Sequence, residues 1–303
     1  MSRYFPPPSD YEPGRLFSLR MQPEGGGLRP RVLQTPSSVP HAGRQLIVLV
    51  HGFNNHWGEA GRAYQGFRRS VYRTTEGLPV PALERLLADL MWPGDADWWG
   101  LGDQADFLVY PAAVGTAKAA GKPLGEHLLE MPNLEIVHFI GHSLGCRLVL
   151  ETIDLLRKRN RRVGRVCLMA AAVPTFMLER PRGILIHAMR HPEAILVLYS
   201  SADLVLKHAF RAGQTVAGAG EGFFPKALGS AGPSADVLGN VSMYKVADAG
   251  HGDYWGHSRS RPARISARRA SEFLRMGILA RSLPDRAAPN NRDSSAGNRE
   301  IGL

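Results

Sequence analysis

The chain has 303 residues, of which 44% are hydrophobic and 21% charged, a composition typical of a globular protein. Lys and Arg outnumber Asp and Glu by 37 to 27, but no zinc-finger, helix-turn-helix or RNA-binding signature accompanies this net charge of +10. Two cysteines without metal-ligand spacing, and apolar runs well short of about 18 residues, exclude a disulfide scaffold and a membrane-spanning chain.

Both ends of the chain differ in composition from the middle. Residues 1–43 are rich in Pro and Gly, which predicts an extended arm, either with an edge strand in Leu16–Met21 or without fixed structure. No apolar signal segment occurs in this arm, so we expect a cytoplasmic protein. Residues 281–303 are polar and are predicted to be a disordered tail. One domain is therefore expected over residues 44–280.

Strands and helices alternate through this middle region. Short apolar runs predict strands at 45–50, 86–92, 135–140, 165–170, 194–199 and 241–246. Helical spacing of apolar residues predicts helices at about 59–73, 105–131, 144–159, 183–190, 204–211 and 262–279. This alternation requires crossover connections and predicts an α/β fold, a mostly parallel sheet with helices on both faces.

The most informative stretch is the junction of the strand at 135–140 with the helix that follows it. The sequence there is Gly141-His142-Ser143-Leu144-Gly145, a Gly-x-Ser-x-Gly pattern. A serine at a sharp strand-to-helix turn is exposed at the end of the sheet, and the flanking glycines allow neighbouring chains to approach closely. Cys146, one residue further on, and Cys167 are predicted to be small core residues. Ser143 is therefore predicted to be a nucleophile.

A serine hydroxyl needs a base, usually a histidine oriented by a carboxylate. His251 lies between two glycines after the last predicted strand and is our preferred base, with His257 as the alternative. Asp203 follows the penultimate strand and is our preferred acid, although aspartate also suits a helix N-cap there. Asp248, beside the histidine, is the nearest rival for the acid. Weaker rivals are Asp95 and Asp97, after an earlier strand.

Acyl transfer also requires N–H donors aimed at the developing oxyanion. The backbone N–H of Leu144 is one candidate, and Phe53 or Asn54, after the strand at 45–50, would supply the other. His51, in the same loop, either shapes the turn or caps it by hydrogen bonding.

Aromatic residues near these strand ends are candidates for a substrate pocket. We expect Trp92, Trp98 and His142 to line it, with core or surface packing as the alternative for each tryptophan and packing as the alternative for His142. No metal-binding cluster, Walker-type loop or dinucleotide fingerprint is present, so neither a metal nor a cofactor is expected.

Five motifs together resemble the α/β-hydrolase superfamily, and within it a bacterial family of uncharacterised predicted esterases and lipases. The motifs are His51–Asn55, Trp92-Pro93, Gly141–Gly145, Ser200–Asp203 and Gly250-His251. The resemblance covers about residues 44–275. The chain order serine, aspartate, histidine is also the order that α/β-hydrolases use. The elbow departs from the family pattern in Leu144 and Cys146, where Met and Asn are frequent.

The residues and the resemblance together predict a serine hydrolase that cleaves a carboxylic ester of a small molecule. Ser143 would attack, His251 would act as base and Asp203 would orient it. The alternative is a non-catalytic module of the same fold that binds a protein, a lipid surface or nucleic acid through its arginines. Beyond the ester substrate, we expect at most weak contact with an anionic surface and no specific nucleic-acid partner.

Overall fold

The computed structural model describes residues 15–21, 27–35, 44–53, 55, 57–74, 85–94, 106–178, 183–211, 225–232 and 238–282. Within these residues eight strands form a sheet in the order β2-β1-β4-β3-β5-β6-β7-β8. All neighbouring strands are parallel except β1 and β2. The strands are Leu16–Arg20 (β1), Leu28–Thr35 (β2), Gln45–Val50 (β3), Leu87–Met91 (β4), Ile136–His142 (β5), Arg162–Met169 (β6), Ala194–Tyr199 (β7) and Val241–Lys245 (β8).

Helices connect the parallel strands. They are Trp57–Thr74 (α1), Asp106–Glu130 (α2), Gly145–Lys158 (α3), Ile186–Arg190 (α4), Leu228–Ala231 (α5) and Arg261–Ser282 (α6), with a 3₁₀ turn at Thr175–Leu178 and a π-helical turn at Val205–Ala209. The chain moves one way along the sheet from β3 to β4 and the opposite way from β4 through β5 to β8. Right-handed crossovers then put α1 on one face and α2 and α3 on the other. The predicted α/β architecture is confirmed.

The reversal of direction separates the connections that leave β3 and β5. These two strands are neighbours, and Val50 at the end of β3 pairs with Gly141 near the end of β5. The chain leaves β3 towards one face and β5 towards the other, which opens a crevice at the carboxyl ends of the strands. Both strands are almost entirely buried and mostly apolar, as expected for strands covered on two faces.

The N-terminal region differs from its prediction. β1 is not an edge strand: it pairs with β2 on one side and β4 on the other, and all five of its residues are buried. β2 lies at the edge, and its residues are partly or fully exposed. The described part of the predicted arm thus belongs to the sheet. Residues 1–14, 36–43 and 283–303 lie outside the described residues, so those parts of the predicted boundaries stay predictions.

Two further features of the interior matter below. Arg68 of α1 pairs with Asp89 of β4 through two contacts of 2.8 and 2.9 Å, and both side chains are buried. Cys146 and Cys167 are buried and unpaired, and burial raises the pKa of each thiol. In the described part of the chain, no helix is both long and apolar enough to cross a bilayer.

Candidate active site

Ser143 occupies the sharp turn between β5 and α3. Its φ is +52°, in the left-handed region that non-glycine residues rarely adopt. The turn is held from both sides: the Ser143 N–H donates to the Met169 carbonyl at 2.9 Å, and the Ser143 carbonyl accepts from the N–H of Ala172 at 3.1 Å. The Ser143 backbone is therefore fixed to the end of β6 and to the loop after it.

Glycines allow the loop after β3 to lie against this turn. A Cβ on Gly145 would come 2.2 Å from the carbonyl oxygen of His51, so only glycine fits there. A Cβ on Gly52 would come 2.8 Å from both the Cβ of Ser143 and Nδ1 of His142. The loop after β3 and the turn at Ser143 are thus in direct contact. Gly52 and Gly145, which belong to two of the predicted motifs, make this contact possible.

Ser143, His251 and Asp203 form a continuous hydrogen-bonded chain. Ser143 Oγ lies 2.8 Å from His251 Nε2, and His251 Nδ1 lies 2.8 Å from Asp203 Oδ2. Asp203 is fully buried, and its other oxygen accepts the N–H of Leu206 at 3.0 Å. Asp203 therefore caps the turn that follows β7 and accepts from the histidine, which combines the two alternatives considered for it. The carboxylate favours the tautomer with Nδ1–H, which leaves Nε2 to accept from the serine hydroxyl.

Those rival residues that the structure describes lie outside this hydrogen-bonded chain. Asp248 is exposed in a turn with φ +58°. A cavity lies beside His251, and His257 is one of the residues that line it. The ring that forms a hydrogen bond with Ser143 is nevertheless that of His251. Asp95 and Asp97 are outside the described residues.

Asp253 organises the loop that carries His251. Its Oδ2 accepts the N–H of Gly250 at 3.1 Å, while Oδ1 accepts the hydroxyls of Ser258 at 3.1 Å and Ser260 at 2.6 Å. Ser260 Oγ also accepts the N–H of Ala263 at 3.1 Å, in the first turn of α6. One carboxylate thus ties the base-bearing loop to the start of α6.

His51 anchors the loop after β3. Its N–H donates to the hydroxyl of Tyr64 at 2.8 Å, and that hydroxyl donates to the Leu90 carbonyl at 2.6 Å. Its Nδ1 lies 2.8 Å from the Gly52 carbonyl, so Nδ1 carries the proton and Nε2 accepts the N–H of Trp92 at 3.3 Å. His51 is fully buried, and it holds the turn by hydrogen bonding.

Trp92 does not line the cavity. Its indole N–H donates to the carbonyl of His51 at 2.9 Å, its ring stacks on the His51 ring at 5.6 Å, and it is fully buried. The expectation that Trp92 contacts substrate is therefore corrected: because it lies beneath the loop, its role is to support His51. Trp98 lies outside the described residues, as does Asn54.

Phe53 and Leu144 lie on the two loops that meet at Ser143. Within the described part of the chain, neither backbone N–H has a hydrogen-bond acceptor. Leu144 precedes the first residue of α3, where N–H groups lack intrahelical partners and the helix dipole favours negative charge. These two amides are the donors predicted for an oxyanion.

His142 is buried between the nucleophile and the base-bearing loop. Its Nε2 lies 2.8 Å from the carbonyl oxygen of His251, which requires a proton on Nε2. Burial, and next the neighbouring His251, lower the pKa of His142 to about 3, so this ring is neutral. Nδ1 is buried without a hydrogen-bond partner among the described residues. His142 also lines the cavity beside His251, together with Trp255 and Phe53.

Two contributors to this region were not found in the sequence. Trp255 packs edge-on against Tyr64 at 5.3 Å and lines the cavity, and Asp253 holds the histidine loop. Both lie within four residues of His251, in a stretch without helical or strand periodicity. The described residues contain no group of three His, Cys, Asp or Glu side chains able to hold a metal.

A mostly parallel eight-stranded sheet with a serine on the turn after its central strand is the architecture of the α/β-hydrolase superfamily. The particular family follows from the sequence: residues 37–221, more than half of the chain, match the model of the family described as "Alpha/beta hydrolase of unknown function (DUF900)". The chain belongs to that family. Membership of an α/β-hydrolase family supports hydrolase activity. A search of curated proteins finds no match to the sequence.

Several solved structures resemble the chain in fold. They include carboxyl esterase 2 (TmelEST2) from the mycorrhizal fungus Tuber melanosporum, with 12% identity, a TM-score of 0.42, and coverage of 77% of this chain and 78% of that one. An esterase of Pyrobaculum calidifontis has 13% identity, a TM-score of 0.42 and coverage of 78% of each chain. A hormone-sensitive lipase from a metagenome library has 13% identity, a TM-score of 0.40 and coverage of 82% of each chain. At these identities the likeness concerns the fold alone.

Proposed function

We propose that the protein is a serine hydrolase that cleaves a carboxylic ester through a covalent acyl-enzyme. The observation that carries this proposal is the hydrogen-bonded chain from Ser143 Oγ through the His251 ring to Asp203, with two contacts of 2.8 Å. A serine, a histidine and a buried carboxylate in this order form the arrangement that activates a hydroxyl at neutral pH.

In the first half-reaction Ser143 Oγ attacks the carbonyl carbon of the ester while His251 Nε2 takes the hydroxyl proton. The imidazolium that forms is stabilised by Asp203, which is fully buried and so interacts strongly with it. The N–H groups of Phe53 and Leu144 hold the oxyanion of the tetrahedral intermediate. Collapse of the intermediate expels the alcohol, which takes its proton from His251, and leaves an acyl group on Ser143.

In the second half-reaction water replaces the alcohol. His251 Nε2 takes a proton from the water as its oxygen attacks the acyl carbon, and the same two N–H groups hold the second oxyanion. The proton then passes to Ser143 Oγ as the acid leaves, which regenerates the free serine. No metal or cofactor takes part in these steps.

The cavity beside His251 favours a small ester. Its volume is about 360 Å³, near the lower end of the roughly 300–1,000 Å³ typical of ligand pockets. Apolar surface comes from Phe53 and Trp255, while Glu59 and Arg62 of α1 provide polar groups. This lining suits a short acyl chain attached to a polar alcohol.

Labelling with a fluorophosphonate probe tests the proposal, because this reagent forms a covalent bond with an activated serine. We expect the wild-type protein to be labelled and Ser143→Ala to remain unlabelled. An unlabelled wild type, or equal labelling of Ser143→Ala, would exclude Ser143 as an activated nucleophile. Heat-denatured protein provides the background, since denaturation separates Ser143 from His251.

Two matched pairs test the remaining roles by hydrolysis of a p-nitrophenyl ester. We expect His251→Ala to lower kcat at least about 10³-fold, while His257→Ala keeps most of the activity. Likewise Asp203→Asn should be strongly impaired and Asp248→Asn should not. Full activity of His251→Ala together with loss in His257→Ala would transfer the role of base to His257.

A further inference from the structure

A groove of about 820 Å³ runs between α1 and α6, on the side of the molecule next to the catalytic cavity. Seven arginines line it among the described residues, against a single carboxylate, that of Glu272. The arginines are Arg69, Arg73, Arg259, Arg261, Arg264, Arg268 and Arg275. The lining therefore has an excess of six positive charges.

The groove has a close-packed end built on small residues. A Cβ on Gly66 of α1 would lie 2.5 Å from the backbone nitrogen of His257. A Cβ on Gly256 would lie 2.8 Å from the Cβ of Ala267 in α6. The loop before α6 therefore rests directly on both helices. His257 lines this groove and also the catalytic cavity, so the two adjoin at that residue.

Two of the guanidinium groups are oriented by the protein itself. Arg264 Nη1 donates to the carbonyl of Arg259 at 2.5 Å, and Arg275 Nη1 donates to the carbonyl of Thr74, at the end of α1, at 3.0 Å. A guanidinium has five N–H donors in a planar fork, so one bond to the protein fixes its direction and leaves other donors for a ligand. Both side chains are exposed to the groove.

This arrangement selects for a ligand with several negative charges close together. Like charges repel, so seven guanidinium groups around one recess favour a bound polyanion. Arginine forks match the oxygens of phosphate in pairs. We propose that the groove between α1 and α6 binds a ligand with clustered phosphate groups, beside the catalytic cavity. Its volume is that of a site for a small molecule. This binding function is separate from ester hydrolysis.

The groove fits a soluble ligand better than a membrane or a nucleic acid. Peripheral membrane binding combines basic residues with exposed apolar side chains, but Met276 is the one exposed large apolar residue that the described parts of α1 and α6 contain. A DNA-binding helix projects into the major groove, whereas these arginines line a recess between two packed helices.

The proposal is tested by calorimetry at low salt, which measures the binding of inorganic tripolyphosphate to Ser143→Ala. This variant makes the test independent of catalysis. The double variant Arg73→Gln/Arg264→Gln removes one charge from each wall, and we expect it to weaken binding about tenfold or more. Arg159→Gln/Arg190→Gln removes two exposed charges outside the groove and should change affinity less than about twofold. Thermal unfolding of each variant verifies that it folds.

Three results would overturn the proposal: no binding of tripolyphosphate at low salt, equal weakening by both double variants, or tighter binding of another polyanion. For the last, phosphatidylcholine vesicles with phosphatidylserine test a lipid surface, and a duplex DNA tests nucleic acid. If either binds more tightly than tripolyphosphate and loses affinity in Arg73→Gln/Arg264→Gln, the groove serves that partner instead. If the fluorophosphonate probe fails to label Ser143, the proposed hydrolase activity fails, but the result of the tripolyphosphate experiment is unaffected.

Discussion

His142 donates a hydrogen bond from Nε2 to the backbone carbonyl of His251, over 2.8 Å. The residue next to the nucleophile in sequence thus holds the main chain of the residue that bonds the nucleophile. The His142 ring is neutral and buried, so it is suited to positioning, whereas proton transfer falls to His251. We therefore infer that this contact, together with Asp203, holds His251 against Ser143.

Replacement of His142 should therefore impair turnover more than substrate binding. In His142→Phe the donor is lost and the His251 carbonyl stays unpaired, so we expect kcat on a p-nitrophenyl ester to fall about tenfold. His142→Gln, which keeps an N–H donor, should recover part of the loss. Steady-state kinetics provide the measurement, and His187→Gln, an exposed histidine on α4, is the control. A His142→Phe variant with wild-type kcat would refute the positioning role.

The same residue should make the fold sensitive to acid. Burial, followed by the neighbouring His251, lowers the pKa of His142 from 6.5 to about 3. The unfolded chain therefore binds a proton at a higher pH than the folded one. The stability that neutral His142 contributes is complete above pH 6.5 and is lost as the pH falls towards 3.

At pH 5 this loss would be about 2 kcal/mol. Urea unfolding of wild type and His142→Gln at neutral pH and near pH 5 measures it. His127 and His257 also have lowered pKa values, so the informative quantity is the difference between the two proteins. A pH dependence that is identical in both would contradict the assignment.

Gly145 should tolerate no side chain. A Cβ there would lie 2.2 Å from the carbonyl oxygen of His51 and 2.9 Å from that of Val50, both backbone atoms that cannot rotate away. We expect Gly145→Ala to separate the two loops, lower esterase activity by at least about 10²-fold and reduce stability. Gly115→Ala is the matched control, since no atom beyond its chain neighbours and its own helix backbone lies within 4 Å of its Cβ position. In that exposed helical position alanine should stabilise by about 0.5–1 kcal/mol.

The buried pair of Arg68 and Asp89 should be important for stability. Asp89→Asn leaves the Arg68 charge buried beside a neutral amide, and we expect a loss of about 3–5 kcal/mol in the free energy of unfolding. Glu135→Gln removes the partner of Arg44, in a pair whose side chains are 44% and 76% exposed, and should cost far less because water screens an exposed pair. Urea denaturation of the two variants compares them, and similar losses would show that burial of the first pair is unimportant.

Much of the fold could be predicted because strands buried on both faces leave a simple pattern. The continuous apolar runs of β3, β5 and β7 predict strands, and the glycines around Ser143 indicate a close approach. β1 and β2 are harder to predict, because they lie among prolines and glycines, which are typical of a loop. Their place in the sheet depends on contacts with β4, far along the chain.

The candidate site was predictable where a residue follows a strand. Ser143, Asp203 and His251 all do so, and parallel strands bring their ends together. Trp92 also follows a strand, but its direction depends on the hydrogen bond to His51, which no spacing reveals. The contributions of Asp253 and Trp255 arise from an irregular loop, whose contacts are set by tertiary structure.

Asp253 links the base to the wall of the arginine-lined groove, because it binds both the loop of His251 and Ser260, the residue before α6. A ligand that displaces the first turn of α6 would therefore also displace His251. Thermodynamic linkage makes such an effect mutual: a molecule held at Ser143 would alter the affinity of the groove by the same factor. Occupancy of the groove and occupancy of the site at Ser143 would then be coupled through the carboxylate of Asp253.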